Sequence, residues 1–203
     1  MDAKASVAML RAVAEAVIAN VDVLTDADLA TGDGDHGIGM RRGFEAALVA
    51  LNAPLATIDA AFRATGLAIM ANTGGAAGAV FGTVFTAGAK AFAGQDEITS
   101  DNFRRFLSDA QVAVSKRGGV VEGQKTMLDA LGFAARAAAA EGGLAETMTA
   151  AAEGAQDGVE ATKAMIATTG KARSLGERSI GHPDPGAISV AIILGAMRNY
   201  TAT

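Results

Sequence analysis

The sequence predicts an all-α protein: an up-and-down, antiparallel bundle or barrel of eight helices that forms one domain over residues 1–203. Half of the residues are hydrophobic but only 4% are aromatic, and much of the apolar content is alanine, which has the highest helix propensity. Apolar residues recur at helical spacing, as in Val7, Leu10, Val13 and Val17, and no alternating strand pattern competes. The length suits one domain with a substantial core.

The sequence predicts eight helices in succession. They are expected at about residues 4–20, 39–51, 57–71, 77–92, 100–117, 125–140, 144–168 and 184–200. Thr57 is an N-cap for the third helix, with Asp59 in its first turn, where a carboxylate interacts favourably with the helix dipole. The eighth helix begins at Asp184, a cap that is followed by Pro185 at the first helical position.

The composition excludes several classes of function. The net charge is −5 and there is no basic run, which argues against a nucleic-acid partner. Cysteine is absent, so disulfides and thiolate sites are excluded, and a reducing compartment fits. No segment offers the roughly 20 apolar residues that a membrane span needs, and none resembles a signal peptide. We therefore expect a cytoplasmic protein with no membrane partner.

Four of the connections between helices are unusual. They follow the first, third, fifth and seventh helices and read TGDGDHG (31–37), NTGGAAG (72–78), RGGVVEGQKTM (117–127) and GKARSLGERSIGHPDPG (170–186). Short connections make neighbouring helices antiparallel, so alternate connections of an up-and-down bundle lie at the same end. The sequence therefore predicts a composite site at one end of the bundle.

The first of these loops crowds three carboxylates among glycines: Asp28, Asp33 and Asp35. Unless they are fully solvated, a cation is needed to offset their repulsion, and hard oxygen ligands suit Mg²⁺ or Ca²⁺. An EF-hand is excluded, because the twelfth position is Phe44 when counted from Asp33 and Ala46 when counted from Asp35. Mg²⁺ held by carboxylates and substrate phosphates is one interpretation. A solvated acidic turn that caps the second helix is the other.

The glycine patterns match no standard nucleotide motif. Residues 32–37 fit G-x-G-x-x-G, but an acidic segment precedes them instead of an apolar strand, so we reject a dinucleotide-binding fold. Residues 118–126 resemble a P-loop, but Gln124 interrupts the Gly-Lys pair and no strand precedes it. A glycine-rich backbone beside a helix start can still bind an anion. A flexible connection, and tight helix packing for NTGGAAG, are the alternatives.

The last loop contains the only dense basic cluster, Lys171, Arg173 and Arg178, together with His182. An anionic ligand would neutralise this cluster and would also face a cation on the acidic loop. His36 and His182 are the only histidines, and a lone loop histidine is more often a structural hydrogen-bonding residue than a catalyst. With no cysteine and no clear Ser–His–acid set, we assign no catalytic residue or covalent nucleophile to this chain.

Together, the four loops resemble the L subunit of dihydroxyacetone kinases. The motifs are GDGDHG followed by Met and Arg-Gly-Phe, GGAAG, GQKTMLDAL and LGERSIGHPDPGA, in the family's order over nearly the whole chain. The resemblance implies an eight-helix antiparallel barrel with ADP or ATP at one end and two Mg²⁺ ions on Asp28, Asp33 and Asp35. The implied nucleotide contacts are His36, Gly37, Ile38, Gly39, Ala76, Ala77, Gly118, Met127, Lys171, Asp184, Pro185 and Gly186.

The resemblance also implies a division of labour. A separate K subunit binds the ketose through a histidine that is not on this chain, and this chain passes it a phosphoryl group from the Mg-bound nucleotide. In many bacteria, bound ADP is rephosphorylated by a phosphohistidine protein of the phosphoenolpyruvate phosphotransferase system, whereas in other members ATP is exchanged. The oligomeric state is left open, a homodimer included.

Four positions depart from the usual family pattern: Gly39 replaces Asn, Ala77 replaces Ser, Gln124 replaces Asp, and Lys171 replaces Arg. Gly39 and Ala77 lack hydrogen-bonding side chains, and Lys171 keeps the charge without the planar fork of arginine. A kinase subunit that uses ATP directly on a four-carbon ketose is therefore an alternative to a dihydroxyacetone enzyme. A nucleotide-sensing regulatory protein and a purely structural helical module are further alternatives.

Overall fold

The computed structural model describes residues 1–201, which contain nine α-helices and no strand. The helices are α1 (Ala3–Ala19), α2 (Val21–Leu29), α3 (His36–Ala50), α4 (Ile58–Asn72), α5 (Gly75–Gly88), α6 (Ser100–Gly118), α7 (Met127–Ala137), α8 (Leu144–Lys163) and α9 (Pro185–Thr201). Two 3-10 segments lie at Ala89–Phe92 and Lys171–Ser179. None of the described helices is both long and apolar enough to cross a bilayer. The predicted all-α class is confirmed.

Eight of the helices form a closed ring in chain order. Helix α1 packs against α3, each helix from α3 to α8 packs against the next, and α9 returns to pack against α1. Short connections between most of these neighbours give the antiparallel, up-and-down arrangement. The eight ring helices correspond to the eight that the sequence predicts.

Helix α2 is the main departure from the predicted elements. Its segment, VDVLTDADL, contains three aspartates and looks like part of the acidic loop. It buries one narrow face, through Val21 and Leu24, against α3 and α9. The prediction of a loop here is wrong, because a helix of two to three turns needs few apolar residues when neighbouring helices cover one side of it.

The other differences concern helix ends. Helix α3 begins at His36 instead of Gly39, and α8 ends at Lys163 instead of near Thr168. The predicted fourth helix divides into α5 and the 3-10 segment Ala89–Phe92. The predicted cap of α4 is confirmed, since the Thr57 side chain accepts the hydrogen bond of the Ala60 N–H at 3.3 Å.

Small residues let neighbouring helices approach closely around an aromatic core. A Cβ at Gly66 in α4 would lie 2.6 Å from the carbonyl oxygen of Gly82 in α5, and a Cβ at Gly82 would lie 2.7 Å from that of Gly66. In the core, the Phe62 ring lies 4.6 Å from that of Phe92 and 5.2 Å from that of Phe106, measured between centroids. Close backbone contact and closely packed rings give a stiff frame for the loops at its ends.

Candidate active site

All four unusual loops line one cavity of ≈ 360 Å³ at an end of the barrel, the third of them through Lys125, Thr126 and Met127. Asp28 and Asp35 contribute to its wall. Nine of the twelve proposed nucleotide contacts also line it: His36, Gly39, Ala76, Ala77, Met127, Lys171, Asp184, Pro185 and Gly186. The helical ring therefore brings together residues that lie far apart in the sequence. Their contact with a nucleotide stays a prediction.

Three of the proposed nucleotide contacts lie away from the cavity wall. A Cβ at Gly37 would meet α2, with the Thr25 backbone nitrogen 2.9 Å away, and Ile38 is exposed on the surface. Gly118 lies behind the wall, since its Cβ would be 3.7 Å from the cavity-lining Val80. Residues 36 and 39 share a face of α3 because they are three positions apart. Residues 37 and 38 lie on other faces of the helix and therefore point away from the cavity.

The three aspartates of the first loop form one cluster. Each offers a carboxylate oxygen, and these three atoms lie within 4.8 Å of one another. Asp28, in the last turn of α2, is buried, and its Oδ2 accepts the backbone N–H of His36 at 3.1 Å. Asp33 and Asp35 are exposed, with Gly34 between them at a φ of 78°. Three convergent carboxylates fit a hard divalent cation such as Mg²⁺.

Lys171 from the last loop pairs with this cluster. Its Nζ lies 2.5 Å from Asp33 Oδ1 and 2.9 Å from Asp35 Oδ2. The hydrogen bonds to Asp33 and then Asp35 raise the pKa of Lys171. The same hydrogen bond from Lys171 lowers the pKa of Asp33. The lysine that the sequence assigns to an anionic ligand thus lies against the acidic loop and joins the first and last loops.

The start of α5 gives the cavity a set of free backbone donors. Gly74, with a φ of 82°, is the N-cap and provides no side-chain hydrogen bond. A Cβ at Gly75 would meet nothing within 4 Å, so the backbone here is open. Because the first N–H groups of a helix have no partner within it, such an end suits a phosphate.

Arg42 adds a positive charge to the same wall, and sequence reasoning missed it. Its guanidinium donates to the Thr73 carbonyl oxygen at 3.1 Å and lines the cavity. A detectable signal was present, because residues 36, 39 and 42 are spaced three apart and share one face of a helix. An anion at the start of α5 would therefore also face Arg42.

His36 joins two helices at the cavity wall. Its Nε2 lies 2.8 Å from the hydroxyl oxygen of Ser189 in α9, and its ring centroid is 6.0 Å from that of Phe81. Burial is the main influence on its pKa, which is lowered from 6.5. A neutral imidazole that already has a hydroxyl partner ties α3 to α9.

Asp184 is a partly buried acid in the cavity wall. Its Oδ2 accepts the N–H of Ala187 at 2.8 Å and so caps the first turn of α9. Burial raises its pKa to about 7, although the hydrogen bond from Ala187 acts in the opposite direction. A carboxyl group with a raised pKa in a cavity is typical of a functional site.

Comparison with known proteins identifies the family. The DAK2 domain matches residues 30–199. The ADP-binding subunit DhaL of PEP-dependent dihydroxyacetone kinase 1 from Listeria innocua is 35% identical over 184 residues, which are 90% of this chain and 89% of that protein. The D-erythrulose kinase of Mycolicibacterium smegmatis is 36% identical over 196 residues, which cover 90% of this chain but 34% of that protein.

The fold is shared with a solved kinase. The crystal structure of the dihydroxyacetone kinase from C. freundii in complex with AMP-PNP and Mg²⁺ matches with a TM-score of 0.72 at 24% sequence identity. The match covers 95% of this chain and 33% of that one. With a domain match over most of its length and a relative of nearly equal extent, the chain belongs to the DAK2 domain family.

Proposed function

We propose that this chain is the nucleotide-binding subunit of a small-ketose kinase and passes a phosphoryl group to a ketose held by a separate K-type subunit. One observation carries the proposal. A carboxylate cluster that fits a divalent cation and an open helix start that fits a phosphate belong to the same end of the barrel. The DhaL relative, named as an ADP-binding subunit, supports adenine nucleotide as the ligand.

Each part of the site has a distinct role in this function. Asp28, Asp33 and Asp35 would hold Mg²⁺, two ions in the family pattern, and the metal would neutralise charge on the transferred phosphoryl group. The free N–H groups at the start of α5 and the Arg42 guanidinium would bind phosphate oxygens. The hydrogen bond from the His36 N–H fixes Asp28 to the first turn of α3. The protein mainly positions charge for the reaction.

The acceptor hydroxyl must come from the partner. Among the described residues that line the cavity, His36 is the only imidazole, and it is partly buried with Ser189 as its partner. Alignment of a hydroxyl with the phosphorus atom accounts for a large part of such rate enhancements. We expect no ketose phosphorylation by this chain alone, and turnover that rises by orders of magnitude when a K-type subunit is added. The donor and both subunits would meet in the cytoplasm.

Nucleotide binding tests the proposal directly. Asp33→Asn and Asp35→Asn should abolish Mg²⁺-dependent ADP binding in calorimetry and leave the helical circular dichroism unchanged. Asp26→Asn is the matched control, because Asp26 is exposed on α2 and lies outside the cluster. If both cluster variants bind ADP as tightly as the wild type, the proposed metal site is wrong.

A second candidate, in which ATP exchanges directly, rests on two positions in the cavity wall. Gly39 and Ala77 both line the cavity without a polar side chain, and a Cβ at Gly39 would already lie 3.0 Å from the Thr73 carbonyl oxygen. Each missing hydrogen bond to a charged ligand is worth about 1.5–3 kcal/mol, so two of them weaken nucleotide retention by a factor of about a hundred or more.

The two donor schemes differ in what the purified protein retains. Direct exchange predicts that ADP is lost during dialysis at neutral pH with Mg²⁺ present, and native mass spectrometry would detect this. Stoichiometric retained ADP would instead favour rephosphorylation by a phosphohistidine protein. The similarity to D-erythrulose kinase makes erythrulose the first alternative to dihydroxyacetone in the assay with a K-type subunit. Nucleotide binding without turnover of either sugar would favour a regulatory protein.

A further inference from the structure

Lys125 is a buried cation for which the proposed function provides no role. Only 3% of the residue is exposed, although lysine is almost never buried without partners. Its backbone has a φ of 61°, and it is the only non-glycine residue with a positive φ between residues 1 and 201. A side chain disfavours this conformation, which persists where the surrounding structure imposes it. Burial and conformation both indicate a specific role for this lysine.

The Lys125 ammonium group connects three segments of the chain. Nζ donates to the carbonyl oxygen of Thr162, in the last turn of α8, at 2.5 Å, and to that of His182, in the last loop, also at 2.5 Å. The Thr162 hydroxyl accepts the N–H of Asp184 at 3.0 Å. Lys125 therefore ties residues 119–126 to the segment from which α9 begins.

Two carboxylates, of the buried Asp129 and the partly buried Asp184, complete this cluster. Asp129, in the first turn of α7, accepts the N–H groups of Gly123 at 2.5 Å and Thr126 at 2.8 Å. Asp184 caps α9 through Ala187. Burial opposes the charge of the lysine, whereas Asp184, when it is ionised, and Asp129 stabilise it electrostatically. A buried charge that has lost its partners is strongly destabilising, so the three groups hold one another in place.

We infer that Lys125 is a positioning residue, which sets the spacing between two walls of the cavity for an adenine nucleotide. Lys125, Thr126 and Met127 lie on one wall, and Pro185 and Gly186 lie on the other. The walls touch, because a Cβ at Gly186 would lie 3.1 Å from that of Met127. A small displacement of either wall therefore changes the space for the ligand. The inference rests on the proposed function, because the ligand is the nucleotide.

The test compares Lys125→Met with Lys163→Met. Lys163 is the matched control because it follows Thr162 directly and forms an exposed ion pair with Glu160. We expect Lys125→Met to weaken ADP binding at least tenfold in calorimetry, and to leave Mg²⁺ binding without nucleotide within twofold of wild type. Lys163→Met should bind ADP within twofold of wild type. A folded Lys125→Met protein with wild-type ADP affinity would overturn the inference, even if its melting temperature were lower.

A double-mutant cycle separates positioning from a direct contact. Thr162→Val releases the Asp184 N–H, and so loosens the same wall by another route. If Lys125 acts through this wall, combining Lys125→Met with Thr162→Val should cause no further loss of ADP affinity beyond that of the more damaging single change. Both changes release the same segment, so their effects should not add. Additive losses would show that Lys125 acts independently of the wall, and would overturn the inference.

A ligand-free measurement distinguishes this inference from the proposed function. The methyl resonance of Met127 in the nucleotide-free protein should shift in Lys125→Met and stay unchanged in Lys163→Met. If the Met127 resonance shifts in Lys125→Met but the wild-type protein binds no ADP, the proposed function is wrong and the role of Lys125 at the wall stands. ADP binding by the wild type, with an unshifted methyl resonance in Lys125→Met, would refute the positioning role alone.

Discussion

Asp184 should make the stability of the nucleotide-free protein depend on pH. Burial raises its pKa from 3.8 to about 7, against the opposing effects of Ala187 and Lys125. Between these two values, the native state holds a proton that the unfolded chain has lost. The free energy of unfolding therefore falls as the pH rises through this range. The stabilising contribution is complete below pH 3.8 and is lost as the pH rises through about 7.

The magnitude follows from the size of the pKa change. Each unit corresponds to about 1.36 kcal/mol, so a change of about three units contributes about 4 kcal/mol. Asp184→Asn should remove this dependence because the amide does not titrate. The cap of α9 should survive, since asparagine is as good an N-cap as aspartate and its side-chain oxygen can accept the Ala187 N–H. The variant should gain stability relative to wild type as the pH rises from 5 to 8.

Urea unfolding at pH 5, 6, 7 and 8, without metal or nucleotide, measures this difference. Subtraction of the wild-type free energy of unfolding from that of the variant at each pH removes the contribution of the titrating groups that do not interact with Asp184. We expect the difference to increase by about 2–4 kcal/mol from pH 5 to pH 8. A difference that stays constant over this range would refute the reasoning, because the carboxyl group would then titrate alike in the folded and unfolded chains.

Three further predictions concern other parts of the molecule. Gly66→Ala should lower the free energy of unfolding by about 1–3 kcal/mol, because the added Cβ would meet the Gly82 carbonyl oxygen. Gly195→Ala should raise the free energy of unfolding by about 1 kcal/mol, because a Cβ at this position would meet nothing within 4 Å. Thermal unfolding of both variants tests this pair of expectations. Lys171→Met should tighten binding of Mg²⁺ without nucleotide severalfold, because the ammonium group competes for Asp33 and Asp35; weaker binding in calorimetry would contradict it. Thr73→Val should lower the free energy of unfolding by no more than about 1 kcal/mol, or should raise it. The reason is that the Thr73 hydroxyl is the one buried side-chain polar atom without a partner in residues 1–201. A larger loss of stability in urea unfolding would argue against that reasoning.

The sequence was enough to predict the helical class, the eight ring helices and the clustering of the unusual loops at one end of the barrel, because the signals are local. Apolar periodicity reports which side of a helix is buried, and Thr57 and Asp184 mark helix starts through nearby backbone groups. Short connections then require neighbouring helices to run in opposite directions. The carboxylate cluster was equally visible, since Asp28, Asp33 and Asp35 lie within eight residues of one another.

The partners of the charged side chains were decided only by the tertiary structure. Lys171 reaches Asp33 from 138 positions away, and Lys125 reaches carbonyl oxygens 37 and 57 positions away. A charged residue has no periodic signal of its own, because its energy depends on burial and on which groups surround it. Helix α2 escaped prediction for a related reason, since neighbouring helices supply most of its stability. Local sequence determined the elements of this protein, and packing between distant segments determined the charges and spacing of its site.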